Sequence, residues 1–375
     1  MPWGGFIAST LPTSKLPKII DRDALREQAL AIRVPRYDTR TKFVHSPHVV
    51  ILGAGASRAC CMKGDREGRK LPLMNDFIEC LGIEDVIRKS GHDPRGNFEA
   101  IYSQIHRTGN SNVLKELNSA IYDYFSKITI PDVPTLYDYL VLSMRSKDVI
   151  ITFNWDPLLP QAYKRWRHLG AILPELFFLH GNVEIGIDID KRASGFLSDG
   201  PYPGLTLVPT KLLYPIDQKD YNEDPFVSES WRRTTNYLSD AYNITIFGYS
   251  APTTDVEARA LLLKAWEDNP SRESAYIDIV DIRDPSEVEK AWADFDLGPG
   301  RNPRVGASRE FLRSDLIRHP RRSCEAFAFA TLQQDPWRAD PFPPLETISL
   351  AQLEAWITPV IEEEHSGRLS GKPLH

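Results

Sequence analysis

Cysteine is scarce. The 375 residues hold four, Cys60, Cys61, Cys80 and Cys324, and no two form a C-x-x-C pair, so no zinc ribbon is encoded. Adjacent Cys60 and Cys61 suit neither a shared metal nor a mutual disulfide, and the scarcity fits a reducing cytoplasm. Long apolar runs are missing too, so no stretch reaches the length needed to span a bilayer. MPWGGFIAST lacks the charged-then-apolar order of a secretory signal. No charge of one sign dominates: the net charge of -6 gives no support for a nucleic-acid surface. The basic run Arg318, Arg321 and Arg322 reads as a solvated helix end. Internal repeats and low-complexity tracts are absent. With 42% hydrophobic and 26% charged residues, the chain is expected to bury a large core as one big domain or two modest ones, without membrane contact.

What is present is a series of short apolar runs that end in polar or glycine residues. DVIITFNWD, Asp148 to Asp156, sets the pattern. Val149 to Phe153 reads as a buried strand, followed abruptly by Asn154, Trp155, Asp156 and Pro157. In an open α/β sheet the carboxyl ends of strands are where ligands bind. Asn154 and Asp156 are placed there to hold a polar ligand, or else to cap and start the next helix. His48 to Leu52 runs into Gly53-Ala54-Gly55-Ala56-Ser57, which fits a phosphate-binding turn before a helix or a tight turn alone. Leu176 to Leu179 ends in His180-Gly181-Asn182. Asn243 to Phe247 ends in Gly248-Tyr249-Ser250, with Pro252 and Asp255 beyond. Ala275 to Val280 ends in Asp281, which either takes ribose hydroxyls or caps the helix after Pro285. Each signal is weak alone. Five together along one edge of a parallel sheet favour a single ligand crevice.

Between these runs the spacing predicts helices. Leu73 to Lys89, Asn97 to Lys127 (interrupted near Gly109-Asn110) and Thr135 to Arg145 are too many for one crossover and predict a helical cap over about 73–146. Tyr122, Tyr124, Tyr137 and Tyr139 read as core and rim. Further helices are expected at Leu158 to Arg167, Glu229 to Asp240 and Val256 to Trp266. Cys60 to Lys70 reads as a mobile loop, either a lid or a long connection. Residues 1–46 form an N-terminal extension broken by prolines, with a helix near Asp21 to Ile32. Beyond residue 295 comes a C-terminal extension that opens on the linker-like LGPGRNPRVG and carries helices at Ser308 to Arg318 and Ser349 to Glu363. The fold class is therefore α/β, a Rossmann-like parallel sheet with helices on both faces, a helical cap and two terminal extensions. The body of the fold spans 47–295.

The order GAGAS, TFNWD, LHG, GYS and then a strand ending in an acid resembles the sirtuin superfamily over roughly Val49 to Asp284. Sirtuins use a Gly-Ala-Gly turn, an Asn-x-Asp segment, a His-Gly pair and a Gly-x-Ser loop on a sheet that binds NAD. Two departures matter. The four-cysteine zinc module that helps to form the acyl-peptide groove is absent, and RACCMKGDREGRKLP replaces the Pro-Asp-Phe-Arg segment. What remains, including FGYSAPTTD after a helix with Trp231, is similar to the zinc-free sirtuin-like branch of bacterial antiphage systems, whose members hydrolyse NAD.

The resemblance implies NAD as substrate, no zinc, and cleavage to nicotinamide and ADP-ribose. It implies catalytic roles for Asn154, which orients water or ribose, and for His180 as general base. Gly53, Ala54, Gly55 and Ser57 would cradle the pyrophosphate. Asp156 would contact the nicotinamide amide or the ribose, Gly248 and Ser250 would line the phosphate and ribose path, and Asp281 would meet the adenosine ribose. Unrestrained hydrolysis would kill the host cell. The activity is therefore expected to be gated by homo-oligomerisation or by a separate sensor, such as a translocase-type ATPase, a short Argonaute-like protein or a phage protein. Two other functions stay open: an NAD-dependent deacylase or ADP-ribosyltransferase, and a non-catalytic module that binds NAD or ADP-ribose.

Overall fold

The computed structural model describes residues 46–169, 173–216, 224–250, 256–267, 275–293, 304–330 and 339–366. The expected N-terminal arm with its helix, and Pro252 and Asp255, lie outside the described residues.

Among the described residues nine strands form two sheets: β1 (His48–Leu52), β2 (Val149–Thr152), β3 (Glu175–Phe178), β4 (Ile185–Asp188), β5 (Ala193–Phe196), β6 (Val208–Pro209), β7 (Asn243–Phe247), β8 (Tyr276–Val280) and β9 (Arg304–Ser308). The larger sheet runs β3-β2-β1-β7-β8-β9, with every neighbouring pair parallel. Counted within that sheet alone the order is 3-2-1-4-5-6, the Rossmann arrangement, and the strand order reverses between β1 and β7. The central strands HVVIL, VIIT and NITIF are buried along their whole length, as near-continuous Val/Ile runs must be when both faces of a parallel sheet are covered. The register pairs Leu52 with both Thr152 and Phe247, Thr152 with Phe178, and Phe247 with Val280. The residues that follow these positions therefore come out along one edge.

Helices cover the sheet. α1 (Ala54–Cys60) leaves β1 directly. α2 (Phe77–Leu81), α3 (Glu84–Lys89), α4 (Phe98–Arg107), α5 (Ser111–Phe125) and α6 (Leu136–Leu142) intervene before β2, and α7 (Leu158–Trp166) follows it. The stretch expected as one helix from Leu73 to Lys89 is two, because Gly82 takes a left-handed C-cap with φ 66°. Asn97 and Asn110 accept the amide protons of Ala100 and Val113 and so start α4 and α5. α8 (Pro225–Asp240) begins on Asp224, which accepts from the Phe226 and Val227 amides, and packs on α9 (Val256–Glu267) and on β3. The three-stranded sheet β5-β4-β6 is antiparallel and lies between β3 and α8 in the chain.

Two loops are tied into the fold. Cys61–Lys70 is pinned by buried Asp65, whose carboxylate accepts from the amides of Glu67, Arg69 and Thr129 at 2.8–3.0 Å and pairs with Arg69 at 3.1 Å. Part of the linker-like LGPGRNPRVG enters the sheet, since Arg304–Ser308 is its outer strand. After α10 (Pro285–Ala291), α11 (Asp315–Arg318) and α12 (Ser323–Ala328), the capped helix α13 (Leu350–His365) closes the described chain. The amino edge of the sheet holds this region. His48 bonds Ser323 Oγ at 2.6 Å and Thr245 Oγ1 at 2.8 Å, Arg145 pairs with Glu325, and Arg321 pairs with Glu364 at 2.5 Å.

Candidate active site at the carboxyl edge of the sheet

At the switch point two loops interlock. The Gly55 amide donates to Gly248 O at 3.0 Å, and Gly53 N donates to Phe247 O at 3.1 Å. Gly248 sits at φ 64°, and a side chain there would fall on the Ala56 amide. A Cβ on Gly53 would stand 2.5 Å from Gly248 O. These glycines are required by the close approach of the two loops, whatever lies above them. Ala54 opens α1 and is half-buried, while Ser250 is exposed.

Asn154 reaches across to β1 instead of capping α7. Its Nδ2 lies 2.9 Å from Gly53 O, 3.0 Å from Ser57 Oγ and 3.3 Å from Tyr137 OH. A carbonyl oxygen only accepts, so the nitrogen must face this side, and the amide orientation is fixed. Among the described residues none is hydrogen-bonded to Asn154 Oδ1. Ser57 Oγ donates to Asp156 Oδ2 at 2.6 Å, and Asp156 Oδ1 accepts from the Leu158 amide at 3.1 Å. Asp156 thus does serve the start of α7, with one oxygen, while the other joins the network. Burial raises its carboxyl to about 6, against hydrogen bonds that lower it. The acid is therefore ionised in most molecules at neutral pH and titrates just below it.

His180 follows β3 by two residues and lies edge-on to Phe153, with ring centroids 4.9 Å apart. Phe153 in turn stacks on Tyr249 at 4.3 Å. The imidazole is thereby tied to both the Asn154 loop and the Gly248 loop. Gly181 takes φ 75° where a side chain would strike Lys211 O. Its neighbour Asn182 joins the loops. It donates from Nδ2 to Asp156 O at 2.7 Å and Asn154 O at 3.2 Å, and accepts from the Glu184 amide at 2.9 Å.

Asp281 stands apart from this group. Its carboxylate accepts from the Arg283 amide at 2.9 Å and from the Arg283 guanidinium at 2.6 Å. Among the described residues it is linked to the rest through backbone, where Gly248 N donates to Val280 O at 3.0 Å. Gly53, Ser57, Asn154 and Asp156 are in direct contact, Gly55 and Gly248 close their floor, and His180 is bound to them by ring packing. Two participants were not legible in sequence. Tyr137 reads as core and has no local signal. Asn182 has a faint one, an amide just past His-Gly at a strand end.

These features define a Rossmann-like α/β protein with polar side chains converging at the switch point. No protein-family model matches the chain, and neither does any curated protein. Sir2 structures are similar to it. One holds deacetylated p53 peptide and 3'-O-acetyl ADP ribose, with 13% identity over 79% of this chain and 96% of that chain and a TM-score of 0.35. Another, described as showing the basis for mechanism and regulation of Sir2 enzymes, has 14% identity over 88% and 100% with a TM-score of 0.35. A Sir2 homologue in complex with NAD has 12% identity over 77% and 90% with a TM-score of 0.31.

Proposed function

We propose that this chain is a sirtuin-like NAD hydrolase that cleaves NAD to nicotinamide and ADP-ribose and depletes NAD in antiphage defence. One observation carries the reading. A buried amide at the switch point, Asn154, is fixed by three protein oxygens with its own Oδ1 left for a ligand, in the same loop system as His180.

The ribose–nicotinamide bond is already activated, because nicotinamide leaves as a neutral base. As it breaks, its electron pair goes to the nicotinamide nitrogen and positive charge develops on the ribose. The site then has to orient the ribose, favour that charge and deliver water. Asn154 Oδ1 accepts from the water or a ribose hydroxyl. His180 takes the water proton as the new C–O bond forms, an imidazole being suited to this at neutral pH. Asp156 supplies negative charge beneath the ribose, and each of its oxygens keeps a second lone pair for the nicotinamide amide. The pyrophosphate lies over the start of α1, where Gly53, Ala54, Gly55 and Ser57 carry no bulky side chain, with Gly248 and Ser250 beside it. Asp281, held by Arg283, faces the adenosine ribose. No acyl-peptide groove is needed for water as nucleophile, and gating by self-association or by a separate sensor protein keeps the activity in check.

The test is to incubate purified protein with NAD, alone and with candidate partners, and follow free nicotinamide and ADP-ribose. Asn154→Ala and His180→Ala are expected to abolish release while melting within a few degrees of wild type. Wild-type turnover by either would sink the assignment, and full activity of an isolated monomer would remove the gating.

A further inference from the structure

Tyr137 is buried in α6, and its hydroxyl points into the site network. It lies 2.8 Å from Ser57 Oγ and 3.3 Å from Asn154 Nδ2. The directions of these bonds follow from counting protons. Ser57 has one, given to Asp156 at 2.6 Å, so Tyr137 must donate to Ser57. Its remaining lone pairs then face the Asn154 amide. Asn154 has two amide protons for three acceptors, Gly53 O at 2.9 Å, Ser57 Oγ at 3.0 Å and Tyr137 OH at 3.3 Å, so hydrogen bonds converge on the Asp156 carboxylate from Asn154 through Ser57 both directly and by way of Tyr137. Chains aligned in this way polarise one another. Burial also holds the Tyr137 hydroxyl well above the usual phenol range, so its proton stays in place.

The helix that carries Tyr137 is itself locked. Thr135 and Asp138 form a reciprocal capping box. Asp138, fully buried, pairs with Arg165 at 3.0 Å and accepts from the Trp166 indole at 2.7 Å. α6 is thus clamped to α7, the helix that follows Asp156.

On the reading that NAD is hydrolysed here, we infer that Tyr137 is a positioning residue. It holds the Asn154 amide so that Oδ1 faces the reacting ribose, and it relays the Asp156 charge through Ser57. Tyr137→Phe keeps the ring and removes only the hydroxyl, so the fold is retained.

The test combines kinetics with a readout that does not depend on turnover. Protein labelled with 15N-asparagine gives side-chain amide signals, of which Asn154's is the pair lost in Asn154→Ala. Tyr137→Phe is expected to shift or broaden that pair, lower kcat for nicotinamide release about 10- to 100-fold with KM within about twofold, and move the acidic limb of the kcat profile to higher pH. An unmoved Asn154 signal overturns the inference whatever the activity. So does a moved signal with wild-type kcat and pH profile while Asn154→Ala is inactive. If wild-type protein releases no nicotinamide under any condition, the hydrolase reading fails, and the amide signal alone then decides whether Tyr137 holds Asn154.

Discussion

Ser57 Oγ donates a 2.6 Å hydrogen bond to Asp156 Oδ2 across 99 positions of sequence. A hydroxyl thus occupies the place where a buried carboxylate would ordinarily meet a cation, and among the described residues no Lys or Arg pairs with Asp156. Burial therefore pushes the carboxyl up from 3.8 to about 6, although the Ser57 hydrogen bond works the other way.

Asp156→Asn should separate stability from activity. A carboxyl whose folded value lies above its unfolded one stabilises fully below pH ~4 and loses that contribution as pH rises through about 6. At pH 7.5 the ionised acid costs roughly 3 kcal/mol, of which the variant recovers ~1–2 after losing one acceptor. Denaturation at pH 7.5 should show the gain and at pH 4.5 should not, with nicotinamide release lost at both.

His48 carries the opposite sign. Burial lowers its imidazole from 6.5 to about 4, so its contribution is present above pH 6.5 and is lost as pH falls toward 4. The loss approaches ~3 kcal/mol at the acid end. His48→Gln should start less stable at pH 7.5, because its bonds to Ser323 and Thr245 are disturbed. It should then show a flatter fall in melting temperature between pH 6.5 and 4.5.

Gly248→Ala should destabilise the chain by roughly 2–5 kcal/mol, since it combines left-handed strain with a collision on the Ala56 amide. Gly82→Ala shares the positive φ and meets nothing within 4 Å, so it should cost only about 1 kcal/mol. Urea unfolding of the pair isolates the collision.

Asn182→Ala removes two bonds to the backbone of the 154–156 loop and leaves the Glu184 amide without its acceptor. A loss of roughly 2–4 kcal/mol is expected. In addition, kcat should fall in the protein that remains folded, as judged from activity per folded molecule at low temperature.

The strands of the central sheet were legible because Val and Ile runs such as HVVIL and NITIF leave few alternatives to a buried strand. Their ends were legible because polarity changes there within one residue. β9 was not: RVGAS is short and follows a Gly/Pro/Asn-rich tract, so only the exposed edge of β8 makes it a strand. Asn154 stood out by its place after TF. Tyr137 could not, because it shares an apolar helix with Tyr139, and only the distance between its hydroxyl and Ser57 tells the two apart. Likewise the glycines after β1 read equally well as ligand-facing or loop-facing, until the position of Gly248 accounts for them.

The bonds that join Ser57 to Tyr137 and to Asp156 span 80 and 99 positions. The first needs α6 folded back on α1, and the second needs β1 and β2 to have found each other across the intervening helices. Local helices form far faster than such distant parallel pairing. A chain still emerging from synthesis can therefore gain most of its helical content while the four polar groups remain scattered. The polar network comes into being only with the paired sheet, so the immature chain lacks it.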